Sequence, residues 1–377
     1  MRGLVHAALA LTLVATASCT ASHGPPAVRM TPWIATPASE PPTITDLGTV
    51  PVGELGAPAV ADDRYLVRPA DTSGRAVAIV DRRTGETVLR HRTARQRLSV
   101  TFTALYHQRA VILEEDIDGI DSMSADTSKQ PDTVWIYDLS TGRRKSASQV
   151  AGAPQPSPYA AQSHVDERGR YYYLAQNHGG FSNCVGEIDL TTLRGRTVAC
   201  VASPSVIFWL GSASTGVTWT ETRSVNGKPC RTSRWFDGDT VRSIGPAGSC
   251  GTFDNAVLGT WRMWSAQSVE SFDTKVPLTA SDGTTTRDLG PMRPQNLIVC
   301  GPYAYWLVND VDRPSRLVRW RPGSDVQDVY AADRLGDSTP DDVLLSPQGC
   351  ADGHLSLGVS RVTGSGFTLR LLSVAPG

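Results

Sequence analysis

The densest run of hard-cation ligands in this 377-residue chain is Glu114-Glu115-Asp116-Ile117-Asp118-Gly119-Ile120-Asp121. Carboxylates spaced this closely in a loop suit Ca2+, and Asp116, Asp118 and Asp121 are the expected ligands. The competing reading is a solvated acidic loop, because Gly119 follows Asp118 directly and no Glu stands where a calcium-loop spacing requires one. No other cofactor is expected. His107, His164, His178 and His354 are dispersed, with no His-x-x-x-His or His-Glu-x-x-His spacing to set two ligands on one helical face. The chain has no Gly-x-Ser-x-Gly elbow to raise a nucleophilic serine, and no Gly-rich phosphate loop between a strand and a helix. Hydrolase and nucleotide chemistry therefore lack their usual markers, although catalytic groups converging from distant segments would escape such a search.

The seven cysteines divide into one and six. Cys184 and Cys200 lie symmetrically about Thr192, so a hairpin turning there sets them opposite each other and they are expected to bond. Cys230 and Cys250 flank the next hairpin, whose turn near Gly238 is off centre, so a bulge or loop must absorb the difference. Cys300 and Cys350 remain, each just after the first strand of successive units, where a bridge between neighbours fits; other pairings of six cysteines stay open. Without a Cys-x-x-Cys motif, these residues are expected to stabilise the fold outside the cell rather than to exchange electrons.

The seventh cysteine, Cys19, follows an apolar run from Leu4 to Ala17 behind Arg2. That run is too short to cross a bilayer as a helix and reads as the core of a signal peptide over residues 1–18. Thr16-Ala17-Ser18-Cys19 resembles the bacterial lipobox, although Thr16 stands where that pattern has Leu. The resemblance implies that Cys19 is acylated and becomes the mature N-terminus, which places the protein on the outer face of the cell membrane. The alternative is a secreted protein cleaved after Ala17, since Ala15 and Ala17 make a small-x-small site. Parity favours acylation, because it leaves six cysteines that can pair completely. Residues 19–42, rich in Pro, Ala, Ser and Thr, read as a lipid-anchored tether that cannot bury a core. The domain then runs over 43–377.

A net charge of -1 provides no basic field to attract nucleic acid. Positive charge is carried almost wholly by Arg, with Lys at Lys129, Lys145, Lys228 and Lys275, a usage that resembles that of GC-rich bacteria such as actinobacteria.

The elements that must position these residues are short strands, because runs of Val, Ile, Leu, Tyr, Trp and Thr are punctuated by Gly, Asp and Pro and no long helical period appears. One punctuation recurs, at Val80-Asp81-Arg82-Arg83-Thr84-Gly85, Tyr137-Asp138-Leu139-Ser140-Thr141-Gly142 and Ile188-Asp189-Leu190-Thr191, with looser copies at Asp237, Asp282 and Pro322. The spacing of about 50 residues corresponds to one four-stranded propeller blade per repeat. Units opening at Ala59, Val100, His164, Val206, Val257, Leu297 and Val343 predict an all-β, seven-bladed β-propeller. The last unit lacks a fourth strand, and Thr43-Ile44-Thr45-Asp46-Leu47-Gly48 matches the outer strand Thr285-Thr286-Arg287-Asp288-Leu289-Gly290, so residues 43–50 are expected to complete the last blade and close the ring.

The segment Val134-Trp135-Ile136-Tyr137-Asp138-Leu139-Ser140-Thr141-Gly142 resembles the TolB-like and YVTN-type bacterial propeller repeats. Ser212-Ala213-Ser214-Thr215-Gly216-Val217-Thr218-Trp219 resembles the Asp-box of sialidase-type propellers, but Ser214 replaces the defining Asp; the match reads as chance, with Trp219 packing between blades. Such propellers commonly serve as binding platforms. The expected function is thus a cell-surface lipoprotein propeller that binds a protein, peptide or glycan of the envelope or its surroundings. The alternative is an extracellular enzyme acting on carbohydrate or a similar polymer, with two carboxylates facing each other at the central channel.

Overall fold

A computed structural model describes residues 35–37, 40–52, 58–116, 133–157, 163–176, 182–202, 205–225, 228–246, 250–266, 276–310, 313–331, 343–363 and 366–376. Among them, β1 (Thr36–Pro37) and β2 (Thr43–Val52) come first. Sets of consecutive antiparallel strands follow. The first is β3 (Val60–Ala61), β4 (Tyr65–Pro69), β5 (Ala76–Asp81) and β6 (Thr87–Arg92); the second is β7 (Leu98–Tyr106), β8 (Arg109–Asp116), β9 (Thr133–Asp138) and β10 (Arg144–Ser146). Next come β11 (Ser163–Val165), β12 (Arg170–Gln176), β13 (Ser182–Asp189) and β14 (Arg194–Cys200), then β15 (Val206–Ala213), β16 (Val217–Val225), β17 (Lys228–Phe236) and β18 (Val241–Ile244). The chain continues with β19 (Thr252–Leu258), β20 (Trp261–Ala266), β21 (Val276–Ser281) and β22 (Thr286–Met292), then β23 (Ile298–Cys300), β24 (Tyr303–Asp310), β25 (Arg313–Trp320) and β26 (Gln327–Ala331). It ends with β27 (Val343–Ala351), β28 (His354–Thr363) and β29 (Gly366–Ala375).

The recurring Asp has a local cause. In five of the turns between the third and fourth strands of a set, its Oδ1 accepts the backbone N–H two residues on: Arg83 for Asp81 (2.9 Å), Ser140 for Asp138 (3.0 Å), Thr191 for Asp189 (2.8 Å), Asp239 for Asp237 (2.9 Å) and Thr284 for Asp282 (2.8 Å). The side chain thus satisfies a turn N–H that would otherwise lack a partner, which is why Asp marks the repeat.

The seven-bladed count is corrected by the sheet pairing. Among the described residues, five sheets of four or five strands stand as separate blades, and the remaining eight strands form a single sheet in the order β18-β17-β16-β15-β19-β20-β21-β22. At its centre β15 and β19 pair in parallel, Ser212 with Ala256 and Ala213 with Val257. The physical reason lies in the residues between them. Elsewhere adjacent sheets are held apart by apolar packing, as where Val60, Val67, Ile79, Val100 and Ile112 meet. Here, beside an apolar cluster of Ala213, Trp235, Ile244, Val257 and Trp264, part of the filling is small and polar: Thr220 Oγ1 donates to the Phe253 carbonyl (2.7 Å), Thr218 Oγ1 to the Asn255 carbonyl (3.2 Å), and Ser233 Oγ to Thr252 Oγ1 (2.9 Å). Gly211 leaves room for this approach, since a Cβ there would collide with the Asn255 carbonyl and Thr218 Oγ1. The two backbones therefore come within hydrogen-bonding range.

Residues 43–50, expected to close the last unit, lie in β2, which pairs antiparallel with β29 from Thr43 opposite Ala375 to Val52 opposite Phe367. Pairing starts earlier than residue 43. β1 adds a parallel fifth strand to β26, and Ala35 is buried. Between β1 and β2, the fully buried Arg319 stacks over the Tyr303 ring (4.1 Å), donates to Gln327 Oε1 (3.1 Å) and donates through a terminal guanidinium nitrogen to the Glu40 carbonyl. One N-terminal segment is thereby hydrogen-bonded to the outer strands of two successive sheets.

Candidate functional site

The innermost strands β7, β11, β15, β19 and β27, with the segment leading into β23, surround a cavity of about 250 Å3. A second cavity of about 190 Å3 shares His164, Val165 and Cys350 with the first and runs to the turns that carry Asp166, Ser214, Gly301 and Asp352. Inner strands of a propeller present their side chains to this axis, so residues far apart in sequence converge there.

Three of the residues lining the larger cavity are polar and at least 98 % buried: Asp254, Asn255 and Thr103. Asp254 Oδ1 accepts the Gln295 backbone N–H (2.7 Å), while Ser265 Oγ donates to Oδ2 (3.3 Å) and accepts the Asp254 N–H (3.1 Å). Burial nevertheless dominates and pushes the Asp254 carboxyl up to about 7. Gln295 makes its contact from a left-handed backbone (φ 63°), uncommon for a residue other than glycine. Asn255 donates through Nδ2 to Thr220 Oγ1 (2.7 Å) and Ser233 Oγ (3.0 Å), leaving Oδ1 with no hydrogen-bond partner among the described residues. Thr103 Oγ1 also has none. Half-buried Gln348, Asn296, Phe102 and Trp209 complete the polar and aromatic wall.

At the join of the two cavities, His164 Nε2 lies 2.8 Å from the Ala213 carbonyl oxygen and 3.2 Å from the Ala213 backbone nitrogen, contacts that a neutral imidazole makes in one tautomer or the other. Burial lowers the His164 pKa and favours this neutral ring. Ser212 Oγ accepts the Val299 N–H (2.7 Å), tying β15 to β23 across the channel. In the smaller cavity Asp166 is a structural acceptor, taking backbone N–H groups from Arg168 (3.0 Å), Arg170 (2.9 Å) and Gly216 (2.8 Å).

The acidic run is only partly described. Glu114 is buried, 2.8 Å from His91 Nε2, and accepts from Trp135 Nε1 (3.0 Å); Asp116 is half-buried at the end of β8, 3.8 Å from Arg97. Asp118, Asp121, His178 and Cys19 lie outside the described residues. Among the described residues no three His, Cys, Asp or Glu side chains gather in a metal-binding group. Trp219 is buried within the apolar core.

The three disulfides are Cys184–Cys200, directly opposite on β13 and β14, Cys230–Cys250, and Cys300–Cys350, which joins β23 to β27 beside both cavities. Three bonds of this kind are the mark of an extracytoplasmic environment. No helix among the described residues is long and apolar enough to cross a membrane.

Thr103, Asp254, Asn255 and Gln348 belong to no motif, and sequence reading passed over them. The available signal was weak: polar residues inside otherwise apolar first strands, and the Pro347-Gln348-Gly349 interruption where the pairing of β27 with β28 slips.

No protein-family profile matches the chain, and no curated protein matches it. Solved structures do. The β-propeller domain of the Trilobed protease from Pyrococcus furiosus, described as having an open velcro topology, is similar at a TM-score of 0.51 and 8% identity, over 85% of this chain and 95% of that one. The acylaminoacyl peptidase of Pyrococcus horikoshii is similar at 0.47 and 9%, over 83% of this chain and 50% of that one, so this chain spans about half its length. TolB from Acinetobacter baumannii is similar at 0.37 and 10%, over 85% and 82%. The class is accordingly an all-β propeller protein. At these identities the likeness describes the scaffold alone.

Proposed function

We propose that this chain is a cell-surface lipoprotein propeller that binds an envelope or extracellular ligand without transforming it, with the central channel as the seat of binding. The observation that carries this reading is the pair of connected cavities into which buried Asp254, Asn255 and Thr103 are built. A concave site with a few convergent polar groups is the usual form of a ligand pocket. Binding is favoured over the carbohydrate-enzyme alternative because Asp254 is the one carboxylate among the described residues lining the larger cavity, whereas glycoside hydrolysis uses two; Asp166, Glu167 and Asp352 line the smaller cavity, where Asp166 is committed to backbone N–H groups. Thr16 to Cys19 and the cysteine parity support the lipid anchor, and acyl chains would hold the domain at the outer leaflet.

Gly349 supplies the test. A Cβ there would meet Val60 Cγ2 at 3.5 Å, an ordinary contact, so the position accepts a side chain, and Gly349→Leu is chosen to add bulk at the wall of the larger cavity. Immobilised wild-type protein and the Gly349→Leu variant are exposed to solubilised envelope from the native cell, and retained material is quantified by mass spectrometry and sugar analysis. A component held by wild type and lost from the variant is expected; equal retention by both, or by neither, refutes channel binding.

A further inference from the structure

We infer that the channel's ligand is an uncharged, polyhydroxylated molecule, a single saccharide unit or the end of a glycan, a refinement that rests on the binding reading above. No Lys or Arg is among the described residues lining either cavity, so an anionic ligand would be desolvated there without a countercharge. His164 does not supply one, because burial favours its neutral form. The larger cavity instead offers hydrogen-bonding groups of both senses. The Thr103 hydroxyl, buried and without a partner among the described residues, can both donate and accept. Half-buried Gln348 and Asn296 add carboxamides to the same wall. A buried polar atom left without a partner is costly, and a hydroxyl from a ligand would relieve that cost at Thr103. Trp209 and Phe102 contribute aromatic surface to this cavity, against which the C–H face of a sugar ring packs. The volume of about 250 Å3 equals the space of about eight waters, which suits one sugar ring rather than a threaded chain.

The full mature protein is titrated with glucose, galactose, mannose, arabinose and N-acetylglucosamine, followed by tryptophan fluorescence and saturation-transfer NMR. Saturable binding of at least one sugar is expected. Thr103→Val, which removes the hydroxyl and keeps the shape, should weaken it roughly tenfold while leaving Tm unchanged or raised, because the free protein loses an unpaired buried group. A hydroxyl with a structural role would lower Tm instead. Gln348→Ala, at a half-buried position, serves as a second variant should Thr103→Val fold poorly, and it too should weaken binding. The inference is overturned if none of the five sugars binds, or if binding is the same in wild type and both variants. The envelope capture run in parallel separates the two levels. A component lost from Gly349→Leu in the absence of any sugar binding would leave the binding reading standing and remove the saccharide; no capture and no sugar binding would remove both.

Discussion

Replacing Asp254 by Asn should stabilise this protein at neutral pH by an amount that disappears in acid. The carboxyl is 1 % exposed, and burial raises its pKa from 3.8 to about 7. Between those values the unfolded chain has released the proton while the folded chain retains it, so stability falls as pH rises, by about 1.4 kcal/mol per pH unit for this one group. Above pH 7 both states are ionised and the penalty is constant, on the order of 4 kcal/mol. Asn keeps the geometry: its Oδ1 accepts the Gln295 N–H, and its amide donates to Ser265 Oγ in place of the bond that Ser265 donates to the carboxylate. Urea unfolding of wild type and Asp254→Asn, followed by tryptophan fluorescence from pH 4 to 8, measures the difference directly, and groups common to both proteins, including His164, cancel. The curves should meet near pH 4 and separate toward neutrality with the variant more stable. Parallel curves, or a variant less stable at pH 8, would show that Asp254 is not held in a desolvated site.

Three further outcomes are expected. Removing the Cys300–Cys350 bridge as the double Ser variant should cost about 4 kcal/mol, because it closes a 50-residue loop, against about 3 kcal/mol for Cys184–Cys200 with a separation of 16; non-reducing urea titrations compare them, and an equal or smaller effect at Cys300–Cys350 would contradict the loop-entropy account. Gly211→Ala should destabilise by about 1–3 kcal/mol through collision with the Asn255 carbonyl, whereas Gly349→Ala should be near neutral, as thermal unfolding of the pair would show. Cys19→Ser should move the protein from the membrane fraction to the medium, and continued tight membrane retention would rule out a lipid at that position.

The strands and the turns between them were legible from the residues because both are local. Asp81, Asp138, Asp189, Asp237 and Asp282 mark their hairpins because each side chain bonds a backbone N–H two residues ahead, within the reach of a short segment. The facing of Cys184 and Cys200 follows from hairpin symmetry about a single turn. Even the placement of residues 43–50 on the last sheet was readable, since an unpaired strand at one end of the chain and a missing one at the other imply each other.

What the tertiary structure decided was how neighbouring sheets meet. The parallel join of β15 and β19 depends on Gly211, Thr218, Thr220, Ser233 and Asn255 acting together from four strands, and none of them carries a signal alone. The channel has the same origin. Thr103, Asp254 and Gln348 are ordinary strand residues until the inner strands are brought around one axis, where burial changes the ionisation of Asp254 and strips the Thr103 hydroxyl of partners. Desolvation is a property of the assembled environment and not of residue type, so the sequence by itself determined a disulfide-bonded strand repeat, and only its folding together made a site.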